Sequence, residues 1–208
     1  TQGSITSQVR ANASAGFSVV TYTGNATAGA TIGHGLGVAP GMIIIKNRDD
    51  GGTYWVTYHS SLGGTTALAL NLTDSVLTNS LPFNNTNPTS TVFSVGGGGA
   101  FSYSNNQSSE NHVAYCFAPV AGYSSFGSYT GNGSADGPFV YTGFRPRYLL
   151  WKNASYAGSN WVIEDSARSS FNDAASEALY PNSSSGESAL GGTSENVCDF
   201  LSNGFKLR

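Results

Sequence analysis

Apolar positions along this chain come in short bursts of five or six residues, and within most bursts they alternate with polar ones. Phe17-Ser18-Val19-Val20-Thr21-Tyr22 is the first. Met42 to Lys46, Tyr54 to Tyr58, Ala67 to Leu72, Thr91 to Val95 and Val113 to Phe117 follow. These runs are rich in β-branched and aromatic residues and are bounded by Gly, Pro, Asn and Asp, which predicts strands joined by tight turns. Asp49-Asp50-Gly51-Gly52 predicts a hairpin turn, with Lys46 and Trp55 on its facing strands. Pro40 and Pro146 precede strands, where a missing N–H does least harm, and Gly35-Leu36-Gly37 allows the bend before Pro40. Gly96 to Gly99 and the Ser, Tyr and Asn residues after them read as a flexible loop. No long amphipathic helix is predicted; only residues 172–179 suit a helical turn or two.

The pattern is also written twice. Tyr22-Thr23-Gly24-Asn25 returns as Tyr129-Thr130-Gly131-Asn132. The match then resumes one residue out of step, pairing Gly37 with Gly143, Pro40 with Pro146, Lys46-Asn47 with Lys152-Asn153, Trp55-Val56 with Trp161-Val162 and Ser60 with Ser166. Identities in one order, with Pro and Trp among them, imply a tandem duplication. The expected fold is therefore all-β, as two tandem β-sandwich or jelly-roll-like repeats. An N-terminal linker is expected over 1–16, a first repeat over 17–122 and a second over 123–208. Phe93-Ser94-Val95 matches Phe205-Lys206-Leu207, so the second repeat is expected to lack a counterpart of the strand from His112 to Ala118. That strand would come from further polypeptide or from a neighbouring subunit.

Composition narrows the function classes. Charged residues make up 10% of 208, with a net charge of -3 and no cluster of Lys or Arg. Phosphate binding needs a basic stripe, so no nucleic-acid partner is expected. No apolar run reaches the length that spans a bilayer, so no membrane insertion is expected. The 11 Tyr, 11 Phe and 3 Trp argue against disorder. Two cysteines, Cys116 and Cys198, are too few for a disulfide framework. Cys116 reads as a small residue on the inner face of its strand.

No catalytic residue is nominated. Gly186-Glu187-Ser188-Ala189-Leu190 has Leu where a nucleophile elbow needs Gly. Gly33-His34-Gly35-Leu36-Gly37 has the wrong spacing for a dinucleotide fingerprint. Glu164 and Asp165, adjacent on a strand, point to opposite faces and cannot form a facing carboxyl pair. His34, His59 and His112 are too far apart in sequence to suggest a metal site. No cofactor and no metal are expected. For ligand contact the candidates are Trp55 and Trp161, with Lys46 and Lys152 beside them, since aromatic faces stack on sugars and lysine sits over a ring. The simpler reading of a Trp recurring in both copies is a core residue of the repeat.

The segment SITSQVRANASAGFSVVTYTGNATAGATIGHGLGVAPGMIIIKN (Ser4 to Asn47) resembles tail-fibre-like modules of bacteriophage virion proteins, most closely in HGLGVAP (His34 to Pro40) and the strand after it. SYTGNGSADGPFVYTGFRP (Ser128 to Pro146) and FLSNGFKLR (Phe200 to Arg208) are similar to the same family. The second copy lacks the histidine, with Val140 at the position of His34. The resemblance implies a structural protein of the virion, made in the bacterial cytoplasm and working outside the cell. Its partners would be other virion proteins and copies of itself, trimeric if it forms a fibre. The first expectation is a tail-fibre or tail-spike module adhering to host-surface glycans. The alternative is a capsid or tube decoration protein, and a polysaccharide depolymerase comes third.

Overall fold

The computed structural model describes residues 2–79, 81–99, 101–168, 177–189 and 198–208. Within them the chain is all-β. The strands of the N-terminal half are β1 (Ser7–Asn12), β2 (Phe17–Thr23), β3 (Thr31–Gly33), β4 (Met42–Asn47), β5 (Val56–His59), β6 (Thr66–Ala69), β7 (Leu77–Thr78), β8 (Val92–Ser94) and β9 (Asn111–Phe117). Those of the C-terminal half are β10 (Phe139–Tyr141), β11 (Tyr148–Lys152), β12 (Trp161–Asp165), β13 (Glu177–Ala178), β14 (Ser188–Ala189), β15 (Cys198–Leu201) and β16 (Gly204–Leu207). Of the stretch 172–179, Glu177–Ala178 is strand and 172–176 lies outside the described residues.

Seven strands of the N-terminal half form one sheet in the order β1-β2-β9-β4-β5-β6-β7, and β3 pairs with β8 in a separate ribbon. Sheet and ribbon bury one common core, with Val20, Tyr22, Ile43, Ile45, Val56 and Ala114 from the sheet against Ile32 and Phe93 from the ribbon. In β9 the burial alternates strictly: His112, Ala114 and Cys116 point inward, while Val113, Tyr115 and Phe117 are half-buried outside. The small side chains of Ala114 and Cys116 let the middle of β9 lie between β2 and β4 without forcing the core apart. Residues 7–12 of the expected linker are strand β1, paired with β2 along its whole length. Its outward row of Gln8 and Arg10 suits an edge strand and hides the apolar signal that defines inner ones. Asn12 then caps a single 3-10 turn, accepting from Ala15 N at 3.1 Å, and Gly16 at φ 64 turns the chain into β2.

The C-terminal half repeats this pairing residue by residue. Met42 faces His59 and Ile45 faces Val56 between β4 and β5; Tyr148 faces Asp165 and Trp151 faces Val162 between β11 and β12, each residue 106 positions later. Thr57 pairs with Leu68, and Ile163 forms the corresponding bridge to Leu179. Thr66 with Thr78 becomes Glu177 with Ala189, both 111 positions on. The register correspondence therefore extends past position 60, beyond the run of matched identities that ends at Ser60 and Ser166.

The ribbon recurs too, and it shifts one equivalence. Ile32 faces Phe93, and Val140 faces Phe205. His34 N donates to Thr91 O at 3.2 Å, and Thr142 N to Asn203 O at 3.0 Å. The structural counterpart of His34 is thus Thr142, and Val140 stands for Ile32. Neither residue restores a histidine to the second copy.

Three strands, β1, β2 and β9, have no counterpart among the described residues. In the N-terminal half β9 pairs with β4 from Met42 to Asn47; among the described residues β11 pairs only with β12. The segment equivalent to β2, residues 124–130, forms no strand beyond an isolated bridge at Ser124, because β2 is held in place by β9 and no β9 counterpart stands here among the described residues. Tyr129 still keeps its place, 6.2 Å from Phe205, as Tyr22 lies 6.4 Å from Phe93. Ser166 N donates to Arg147 O, so alternation aims the amides of Leu149 and Trp151 at β12 and those of Leu150 and Lys152 outward. The outward amides of Leu150 and Lys152 are expected to exchange with solvent at least about a hundredfold faster than those of Ile44 and Lys46. Hydrogen exchange read residue by residue checks this, and equal protection would mean that β11 has a second partner.

Candidate functional site

The strands hold each candidate side chain differently from its twin. Lys152 faces Trp161 in register, and the same register places Lys46 opposite Trp55. Asn71 Oδ1 accepts from Trp55 N at 2.9 Å and Asn182 Oδ1 from Trp161 N at 2.7 Å, so the two backbones are braced alike. The environments diverge. Trp161 is 4% exposed, and its indole N–H donates to Ala69 O of the N-terminal half at 2.8 Å. It is buried at the joint between the halves, with no face open to a ligand. Trp55 is 36% exposed and stands at the surface, which departs from a core role shared by both copies.

The lysines are committed as well. Lys46 Nζ donates to Thr53 O at 2.6 Å and to Asp50 O at 3.1 Å, folding over its own hairpin turn. Partial burial lowers its pKa, against the nearby Asp50. Lys152 Nζ donates to Asn153 O at 2.8 Å. Neither ammonium is aimed at a sugar-sized space above the indole.

His34 and His112 are buried in the core, while half-buried His59 accepts from Ser61 N through Nδ1 at 3.2 Å. His34 is fully buried; its Nε2 lies 3.1 Å from Thr89 O, and Nδ1 accepts from Leu36 N at 3.3 Å. That is the neutral tautomer with the proton on Nε2, and burial lowers its pKa accordingly. Gly35 at φ 72 and Gly37 at φ 76 supply the left-handed backbone of the bend that follows. His112 stacks on Tyr22 at 5.0 Å inside the core. Among the described residues no three His, Cys, Asp or Glu side chains are grouped to hold a metal ion. No helix there is long and apolar enough to cross a membrane.

Glu164 and Asp165 part as adjacent strand residues must. Asp165 turns outward to Arg168 at 2.7 Å. Glu164 is 1% exposed, accepts from Cys198 Sγ at 3.0 Å, and leaves Oε1 without a partner. Burial pushes its pKa up, against the Cys198 bonds and Arg168. Cys116 is an equally buried free thiol, pushed up to about 12 by burial, which removes thiolate reactivity at neutral pH.

What the surface offers instead is aromatic. Phe17 and Phe117 meet across β2 and β9 with centroids 4.9 Å apart. With Tyr123 and Phe126 they line an open apolar groove of about 340 Å³ beside the 118–126 connection. Tyr123 stands 69% exposed over it. The connection is fixed by Ser124, whose hydroxyl donates to Ala118 O and accepts from Val120 N, so the rings are held by backbone. Tyr141, Tyr148 and Tyr156 add exposed rings on the C-terminal half. This groove is not legible in sequence: Phe17 and Phe117 lie at opposite ends of the first copy, and only the β2–β9 pairing joins them.

Fold and surface together define an all-β protein that gathers aromatic rings on its exterior. The chain belongs to the DUF7483 family, a domain of unknown function, whose model matches residues 1–208. No curated protein and no solved structure matches it.

Proposed function

We propose that this chain is a structural module of a bacteriophage particle, built as two tandem β-sandwich-like repeats, that adheres to host-surface glycans in the manner of a tail fibre. The observation that carries this reading is the aromatic groove of Phe17, Phe117, Tyr123 and Phe126. Flat apolar rings match the C–H faces of sugars, and an open, weakly polar groove fits low single-site affinity compensated by many copies. The sequence resemblance to phage tail-fibre-like modules points the same way. A decoration protein on a capsid or tube is the second reading, favoured by the outer edge of β11, which has no partner strand among the described residues and suits strand-mediated locking to neighbours.

Binding of the purified chain to host cells and to their isolated surface polysaccharide tests the proposal. Tyr123→Ala is expected to lower apparent affinity about tenfold with an unchanged melting temperature, because one stacked ring contributes on the order of 1 kcal/mol. Binding to empty capsids with none to cells would favour the decoration reading. Release of reducing ends from the polysaccharide would favour an enzyme.

A further inference from the structure

We propose that copies of this chain associate head to tail, the β4–β5 hairpin of one copy docking on the 180–187 loop of the next, as the β11–β12 hairpin docks on the 69–76 loop within each copy. The inference stands on the repeat geometry and is independent of the host-surface reading.

The internal joint is specified atom by atom. Trp161 Nε1 donates to Ala69 O at 2.8 Å, Gly158 N to Thr73 O at 2.8 Å, and Val76 N to Ala154 O at 2.8 Å. A hairpin end of the C-terminal half therefore sits on the β6–β7 connection of the N-terminal half. Both surfaces exist twice, because the strand registers that carry them are duplicated. On the hairpin side, Trp161, Gly158 and Ala154 correspond to Trp55, Gly52 and Arg48. On the loop side, Ala69, Thr73 and Val76 correspond to Tyr180, Ser184 and Glu187. The turn geometry is preserved on both sides. Asn153 Oδ1 accepts from Ser155 N and Tyr156 N, and Asn47 Oδ1 from Asp49 N and Asp50 N. Leu72 N donates to Ala69 O, and Ser183 N to Tyr180 O, so each acceptor carbonyl is set in the same turn.

Each molecule thus has one hairpin end joined internally to one loop, and a second hairpin end, held within its own half by Tyr54 N on Ser102 O at 2.7 Å, whose Arg48, Gly52 and Trp55 remain at the surface. The exposure of Trp55 against the burial of Trp161 is the signature of that difference. Trp55 Nε1 finds no acceptor among the described residues, whereas its twin is bonded. Arg48, Gly52, Ser184 and Glu187 are all exposed. One contact differs: Asp50 Oδ1 already takes Gly52 N at 2.7 Å, so the joint between copies rests on the exposed Trp55 indole covering the 180–187 turn and on Glu187 N meeting the Arg48 carbonyl. The two surfaces are unlike, so the contact is heterologous and propagates as a filament or closes as a ring.

Sedimentation velocity of the full chain over a range of concentrations, with tryptophan emission recorded in parallel, tests this. The expected result is growth with concentration beyond a dimer and a blue shift as Trp55 is covered. Trp55→Ala and Ser184→Arg alter exposed positions on opposite surfaces, and each alone is expected to weaken self-association at least about tenfold. Mixed together they should form a one-to-one pair and stop, because each keeps the surface the other lacks. Circular dichroism confirms that both variants are folded. A wild type that stays monomeric throughout, or a Trp55→Ala variant that associates as wild type does, overturns the proposal. A mixture no more associated than its components also overturns it. Glycan binding by Tyr123 is read in a separate assay, so either idea can fail alone.

Discussion

Replacing Asn106 with alanine is expected to cost the N-terminal half about 2–3 kcal/mol, more than the loss of a solvent-exposed polar side chain. Asn106 is fully buried at a point where three long connections meet. Its Nδ2 donates to Gly96 O at 2.7 Å and to Thr27 O at 3.0 Å, and its Oδ1 accepts from Asn25 N at 2.9 Å. Alanine would leave Gly96 O buried without a partner, costing about 1–3 kcal/mol, and would break the bonds to Thr27 O, which keeps Ala30 N at 3.1 Å, and to the amide of exposed Asn25. Asn105 beside it makes a second set, donating to Pro82 O at 2.7 Å and offering its own carbonyl to the Tyr22 hydroxyl at 2.6 Å. Asn106→Asp should be no better, since a carboxylate would face the carbonyls of Gly96 and Thr27. Urea unfolding checks this; a loss under about 1 kcal/mol would mean that water enters the site and replaces the amide.

Glu164→Leu is expected to stabilise the C-terminal half by about 1–3 kcal/mol at pH 8, and to flatten its stability against pH. The carboxyl is buried with one oxygen unpaired, and its pKa is raised by that burial. A carboxyl with a raised folded pKa contributes stability that is fully present below its unfolded pKa of about 4.3 and is lost as pH rises through the folded value. Wild type should therefore melt higher at pH 5 than at pH 8 on account of this group. Asp165, held low by its bonds with Arg168 despite partial burial, acts in the opposite sense and in a separate window, losing its contribution only as pH falls below the ordinary carboxylate range. The equivalent place in the N-terminal half holds Tyr58, packed edge-on against Phe83 at 5.5 Å, so an apolar occupant fits this position of the array. A variant whose melting temperature follows pH as wild type does would show that Glu164 is not the group responsible.

Much of the scaffold is legible in the pattern. The predicted runs correspond to β2, β4, β5, β6, β8 and β9, and the Asp49 to Gly52 turn closes the β4–β5 hairpin. What escapes has physical reasons. β1 lies at a sheet edge, where polar side chains on the open row erase alternation. The stretch after Gly96 to Gly99 reads as a loose loop because it is polar, yet Ser104, Asn105 and Asn106 are buried and hydrogen bonds to backbone satisfy both asparagines. Polarity signals a loop only when water is the partner. Between Ser60 and Phe93 the correspondence is invisible in sequence because backbone pairing, which fixes the register, tolerates replacing Thr66 with Glu177, as it tolerates Glu164 in place of Tyr58 before that stretch. Trp55 and Trp161 mislead for the converse reason: identical residues on identical frames differ because only one of them has a neighbour on that side.

The position of β9 carries a kinetic consequence. It is the last strand of its half to leave the ribosome, yet it is central in the sheet, joining β2 to β4. Phe17 meets Phe117, and Met42 meets the same residue from the other side. Until residue 117 has emerged, the β1–β2 hairpin and the β4–β5 hairpin have nothing between them, and both present bare inner edges while synthesis continues. Such a sheet assembles slowly, because its long-range pairings must close large loops before they are rewarded. During that interval the nascent chain is at its most prone to pairing with the wrong neighbour.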